Sequence, residues 1–369
     1  MIALVPCPDY ERQRVEAAVR QAVELAGGLD VAPGMRVFLK ANLLLAHHPD
    51  RAATTHPEVL RALAALVRER GGIPVVGDSP GGPFSEVLLR KVYDATGLTA
   101  LAEQGAFALN FDTAAVEVPF PAGRVLHKLT LVRAMVEADR LIAVGKLKTH
   151  GLTGMTGAAK NLFGAVPGLL KAEYHYRYPD LARFTNLLVD VAACANPCLS
   201  LVDAVDAMEG EGPSGGVPRR MGVLLAGANP HELDDAGARL MGQSPERYPL
   251  LRRARERDLY APGYEVRGAR LEEHALPDFR ALPPREGRLH LLVPARVKRV
   301  LRRVVEPKPV FLRERCVGCG DCARSCPPKV IRIVQGKAQA DLTHCIRCYC
   351  CQELCPVQAV TIRRRRKRP

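Results

Sequence analysis

The chain has 369 residues, 47% of them hydrophobic, enough for one large core and a small second unit. No apolar run reaches the roughly 20 residues of a membrane span without interruption, since the longest, 186–205, carries Asp190, Asn196-Pro197 and Asp203. The net charge of +14 is uneven: residues 1–293 hold 34 basic and 34 acidic side chains, so the excess lies wholly in 294–369.

The opening Met1-Ile-Ala-Leu-Val-Pro-Cys7 has no basic region and no cleavage pattern, which predicts a cytoplasmic chain. From there strand and helix patterns alternate. Strands are expected at 2–5, 35–40, 73–77, 140–144, 199–205 and 221–226, with helices at 10–25, 56–70, 181–194 and 231–241. This order predicts an α/β fold over 1–285, a mostly parallel sheet flanked by helices. Neither G-x-G-x-x-G after the first strand nor a Walker A sequence is present, so nucleotide binding has no direct support.

Polar residues collect where the expected strands end: Lys40 and Asn42, Asp78 and Ser79, then Lys146, Lys148, Thr149 and His150. Open α/β sheets bind ligands beyond the carboxyl ends of their strands. Each segment alone is also ordinary turn chemistry. The densest stretch runs on through Gly151–Gly157 to Lys160, Asn161, Lys171 and His175, and suggests an anion-binding loop entering a helix N-terminus. His150 and His175 are candidate proton donors, although a lone histidine is as readily structural. The acidic, glycine-rich segment 203–216 either faces these lysines or forms a surface loop, and Cys194 and Cys198 read as thiols packed in the core.

Residues 286–310 form a basic linker whose apolar positions 297, 300, 301 and 304 have helical spacing. They suit packing on the larger domain or, less directly, a membrane surface. Beyond it stand Cys316-x2-Cys319-x2-Cys322-x3-Cys326-Pro and Cys345-x2-Cys348-x2-Cys351-x3-Cys355-Pro. This spacing, written twice, is that of a bacterial-type ferredoxin with two 4Fe-4S clusters, the fourth cysteine of each run serving the other cluster. The expected ligand sets are Cys316, Cys319, Cys322 and Cys355 for one cluster, and Cys345, Cys348, Cys351 and Cys326 for the other. Zinc would want two cysteine pairs with a longer gap, and a disulfide scaffold would want an export signal. Cys350 has the wrong spacing and reads as a non-ligand. The α+β ferredoxin unit spans 311–362, and a basic tail, 363–369, completes the sequence; it reads as solvated, or as a contact for an acidic protein, a membrane surface or nucleic acid.

The blocks Lys40-Ala-Asn-Leu-Leu, Thr54-Thr-His-Pro-Glu58, Gly77-Asp-Ser-Pro-Gly81, Lys146-Leu-Lys-Thr-His150, Thr156-Gly-Ala-Ala-Lys-Asn-Leu-Phe-Gly164 and Met208-Glu-Gly-Glu-Gly-Pro213 resemble the domain of unknown function 362 family. Members with an appended 4Fe-4S unit look like iron–sulfur redox proteins, so the resemblance implies an architecture and candidate residues but no substrate. Two functions compete. One is an oxidoreductase that passes electrons from a redox partner with an acidic surface to a small anion at the lysine-rich sheet edge. The other is a non-enzymatic electron-transfer or cluster-handling protein whose large domain docks a partner. Nucleic-acid binding is weaker, because only 5% of residues are aromatic and no binding motif appears.

Overall fold

The computed structural model describes residues 1–284 and 307–363. The segment 285–306, with its helical spacing, and the tail 364–369 lie outside the described residues. The strands of the first unit are β1 (Ile2–Pro6), β2 (Arg36–Lys40), β3 (Ile73–Gly77), β4 (Ala108–Leu109), β5 (Ala115–Pro119), β6 (Lys128–Val132), β7 (Arg140–His150), β8 (Gly154–Thr156), β9 (Leu199–Glu209), β10 (Val217–Gly227) and β11 (Val266–Gly268). Nine of them form one sheet in the order β11-β1-β10-β9-β7-β2-β3-β4, with β8 folded back on β7. The run β9-β7-β2-β3-β4 is parallel, and β10 lies antiparallel between β9 and β1. The remaining pair, β5 and β6, makes a separate hairpin.

Helices cover both faces. On one, Arg12–Leu25 and Pro57–Glu69 bury apolar stripes such as Val15, Val19, Ala22 and Val23 against Val37, Leu39, Ile142 and Val144. On the other, Leu181–Ala195 and Pro230–Leu240 pack Leu187, Val191, Leu233 and Leu240 over Phe38, Ala143 and Leu225. Local sequence sets their ends. Asp180 and Asn229 accept backbone N–H bonds at the starts of the latter two helices, Pro57 and Pro230 occupy first-turn positions, and Asn196 takes a left-handed φ of 41° at the end of 181–195.

The sequence places β7 and β9 correctly but ends them too early. Lys146 to His150 and Asp203 to Glu209 are not loops beyond the strands: both strands continue to eleven residues, side by side, with Lys146 opposite Asp203. Charged residues here read as a loop because their neutralising partners sit on other strands. Cys198 also departs from expectation. It is exposed and Cys194 is half-buried, both at the opposite end of the sheet beside Arg140 and Leu141.

The second unit begins at Lys308, inside the stretch read as linker. There β12 (Lys308–Phe311) pairs with β15 (Val360–Arg363), and β13 (Ile331–Val334) pairs with β14 (Lys337–Ala340). The two cysteine runs fold alike. Gly318 and Gly320 take φ of 73° and 80°, and their counterparts Arg347 and Tyr349 adopt the same left-handed backbone at 56° and 65°, without being glycine. Arg347 and Tyr349 donate to the carbonyl of Pro307, at 3.0 and 3.1 Å.

Candidate functional site

The cysteine runs enclose two separate hollows. One is lined by Cys316, Cys319, Cys322 and Cys355 with Phe311, Ile333 and Ala359; the other by Cys326, Cys345, Cys348 and Cys351 with Val330 and Ile346, and by Cys350 as well. The fourth cysteine of each run thus joins the three of the other. Backbone N–H groups of Ala338 and Ala359 donate to the sulfurs of Cys316 and Cys355 at 3.2 and 3.1 Å, the kind of bond that supports a charged sulfur. Burial pushes the Cys322 thiol up to about 11, so a thiolate there needs a cation beside it. Among the described residues no three His, Cys, Asp or Glu side chains converge on a single ion. Four thiols spread round an apolar hollow fit a cluster of several irons.

The expected polar residues of the large unit separate into two groups. Lys146 turns to one side, where its ammonium meets Asp203 at 2.9 Å and the Tyr10 hydroxyl at 2.7 Å, while Tyr10 stacks on His56 with ring centres 3.6 Å apart. Burial opposes ionisation of Asp203, yet Lys146 and the His56 N–H hold its carboxyl below the usual range. Asp203 is the one carboxylate of the acidic segment found against a candidate lysine. Glu209 pairs with Arg280 and Asp206 with Arg220. Thr149 donates to the Gly210 carbonyl at 2.8 Å. Neither Lys146 nor Thr149 lines the cavity described next.

That cavity, of about 100 Å³, lies at the carboxyl edge between β2, β3, β7 and the segment after β8. Asn42, Asp78, Ser79, Lys148, His150, Lys160, Asn161 and His175 all line it, joined by Lys171. Lys40 lies just behind, fully buried, bonded to Asp78 at 2.7 Å and to Asn161 Oδ1 at 3.0 Å. Gly164 permits this pair, because a Cβ there would strike the Asp78 carboxylate and the Lys40 ammonium. Lys148 donates to Asn42 Oδ1 at 2.7 Å and to the Ala53 carbonyl at 2.5 Å. Lys171 reaches Ser79 and the Val166 carbonyl at 2.8–2.9 Å. Burial depresses Lys148 and Lys171 to about 7 each, and lowers Lys160 and Lys40 as well.

The loop after β8 does not present a free helix N-terminus to an anion. The N–H groups of Ala158 and Ala159 already bind the carboxylate of Asp234, at 2.5 and 3.2 Å. Burial raises that carboxyl to about 7 despite these bonds.

The far wall belongs to the ferredoxin unit: Ser325, Cys350, Glu353 and Leu354. His150 Nε2 lies 3.1 Å from Glu353 Oε1, while its Nδ1 accepts the N–H groups of Leu152 and Thr153 at 3.1 and 3.4 Å. The ring proton therefore sits on Nε2, facing the carboxylate. Burial takes His150 down to about 4. Burial pushes Glu353 the other way, but His150 and Lys160 prevail and hold it near 2. His150 is thus committed to the join between the units, whereas His175 stacks on Phe184 at 4.2 Å and lines the cavity. The glycine-rich segment 209–216 is neither a lysine partner nor a free loop but a dock. Gln352 Nε2 donates to the Glu211 carbonyl at 3.0 Å, Gln358 Nε2 to that of Ser214 at 3.3 Å, and Gly81 leaves the space that Leu354 fills.

Glu353 was not foreseen. Its only signal in the sequence is a carboxylate inside a cysteine motif, and nothing there relates it to a histidine two hundred residues earlier.

Residues 37–239 match the family described as Domain of unknown function (DUF362), and 308–356 match a 4Fe-4S dicluster domain. The Thylakoid-associated protein sll1697 of Synechocystis sp. is 37% identical over 262 residues, which is 68% of this chain and 77% of that protein. The chain belongs to the DUF362 family. Among solved structures, the lactate racemase apoprotein from Thermoanaerobacterium thermosaccharolyticum superposes with a TM-score of 0.42 at 16% identity, over 66% of this DUF362 chain and 57% of the racemase. A Thermotoga maritima protein gives 0.32 at 13% identity, over 58% and 55%. This DUF362 chain thus spans somewhat over half the length of each. Its C-terminal unit binds 4Fe-4S clusters and serves iron–sulfur electron transfer. No helix among the described residues is long and apolar enough to cross a membrane.

Proposed function

We propose that this DUF362 protein is an oxidoreductase that takes electrons from a redox partner and delivers them to a small anion in the lysine-lined cavity. Two 4Fe-4S clusters, held by Cys316, Cys319, Cys322 and Cys355 and by Cys345, Cys348, Cys351 and Cys326, supply one-electron transfer when bound. The observation that carries this reading is the shared wall: Cys350 borders both the second cysteine hollow and the cavity. A site so placed makes donor and acceptor intramolecular. Lys148, Lys160 and Lys171 position the anion, Asn42 orients Lys148 and is itself held by Asn161, and Leu44, Phe163 and Leu354 limit water. His175 is placed to hold a proton beside the anion, and His150 locks the ferredoxin unit in place through Glu353.

The excess positive charge of 294–369 suits a reductant with an acidic surface, within a reducing cytoplasm. The thylakoid association in the relative's name points to peripheral contact through the same basic stretch as the form any membrane attachment takes. The test is anaerobic. Protein reduced with dithionite and freed of excess reductant is mixed with a panel of carboxylates and phosphate esters, and reoxidation is followed by visible absorbance. Reoxidation lost in Lys148→Ala and Lys160→Ala, with iron content intact, supports catalysis. Unchanged reoxidation in both variants leaves the non-enzymatic carrier as the better reading.

A further inference from the structure

The lysines around the cavity are not all matched by carboxylates. Lys40 is matched by Asp78 at 2.7 Å, as Lys146 is by Asp203 at 2.9 Å outside the cavity. Among the described residues, Lys148 and Lys171 meet neutral oxygens, those of Asn42, Ala53, Ser79 and Val166. Lys160 has no oxygen acceptor among the described residues, and its ammonium stands 5.7 Å from the centre of the Phe163 ring. Against these three lysines the cavity sets one carboxylate, Glu353, which lies 3.1 Å from His150 Nε2. Three ammonium groups thus face a partly apolar site that sets one carboxylate near them. Lys148, fully buried, pays most for having no carboxylate partner, because an unpaired buried charge is strongly unfavourable.

We propose that the cavity takes a small oxyanion carrying two negative charges, a dicarboxylate or a phosphate-type dianion, held between Lys148, Lys160 and Lys171. The proposal rests on the substrate site of the preceding reading and adds its charge and size. A dianion offers charge and oxygens to several of these ammonium groups at once, where a monoanion serves fewer. The space is several times that of one water and far below that of a nucleotide. The lining supports the same size limit, because Phe163 and Leu354 border it with apolar groups that offer a long polar ligand nothing to bond.

The experiment is titration calorimetry on the anaerobically purified full chain, clusters present and no reductant added, at matched ionic strength. Malonate and sulfate are compared with acetate and nitrate. At least one dianion is expected to bind tenfold or more tightly than either monoanion. Lys160→Met and Lys148→Met are each expected to weaken it at least tenfold with iron content and visible spectrum unchanged. Lys128→Met, at an exposed pair with Glu117, is expected to change nothing. Malonate binding alone assigns the dicarboxylate class, and sulfate binding alone the phosphate type. Lys160→Met is the decisive variant, because its ammonium has no oxygen acceptor among the described residues to lose. Monoanions binding as well as dianions, no binding at all, or full affinity in Lys160→Met overturns the proposal. Dianion binding without reoxidation would instead count against the oxidoreductase reading and leave this one standing.

Discussion

The Lys40–Asp78 pair is the sharpest test of how the cavity is built. Both side chains are buried, and the Asp78 carboxylate also accepts the N–H groups of Leu43 and Ser79, at 2.8 and 2.9 Å. Asp78→Asn keeps the shape but removes the charge, leaves Lys40 without a counter-ion, and turns an amide N–H towards one of those donors. Removing one partner of a buried pair costs about 3–5 kcal/mol. For a unit of this size that lowers the midpoint of thermal unfolding on the order of 10 °C. Tyrosine fluorescence suits the measurement: the chain has no tryptophan, and eight of its nine tyrosines precede residue 265. Urea unfolding of Asp78→Asn, Lys40→Met and the double variant gives the coupling energy. The double variant is expected to recover about 2 kcal/mol relative to the sum of the singles, since no charge is then stranded. A loss below about 1 kcal/mol in Asp78→Asn, or strict additivity, would refute a buried, mutually dependent pair.

Three further outcomes follow from the same geometry. Cys350→Ala is expected to keep about eight irons per chain and Cys351→Ala to fall to about four, by iron and sulfide analysis; loss of iron in the first would make Cys350 a ligand. Lys148 carries a folded pKa of about 7 against an ordinary 10.5, so the unfolded chain binds more protons between those values. Stability from this group therefore rises with pH across that window and is lost as pH falls to 7. The slope is up to about 1.4 kcal/mol per pH unit, read as the difference between wild type and Lys148→Met in urea unfolding at pH 7, 8 and 9. Gly81→Val, which intrudes on Leu354, should weaken the dock by about 1–3 kcal/mol. Hydrogen exchange should then quicken at 211–214 and 350–354, while exchange in β2 and β7 stays unchanged.

The sheet was legible because its strands carry unbroken apolar runs, such as Val37-Phe-Leu39 and Ile142-Ala-Val144, bounded by glycine and charge. The cysteine sets were legible because a cluster dictates spacing along the chain. What escaped was everything settled by distant partners. Lys146 and Lys148, two residues apart, look equivalent in sequence, yet Asp203 claims one and a cavity the other. The glycines of 209–216 resemble a flexible loop because the ferredoxin unit that rests on them lies more than a hundred residues away. A helix N-terminus appeared open because Asp234, which closes it, belongs to another helix.

The two cysteine hollows are chemically alike but not equally placed. Only the second shares a residue with the cavity, through Cys350; the first, where Cys319 is exposed, does not. A symmetric repeat has thereby acquired a polarity, with a terminal open to visitors and a terminal sealed against the large domain. A ferredoxin module transplanted from elsewhere would bring both cysteine sets and still leave one side of the chamber missing.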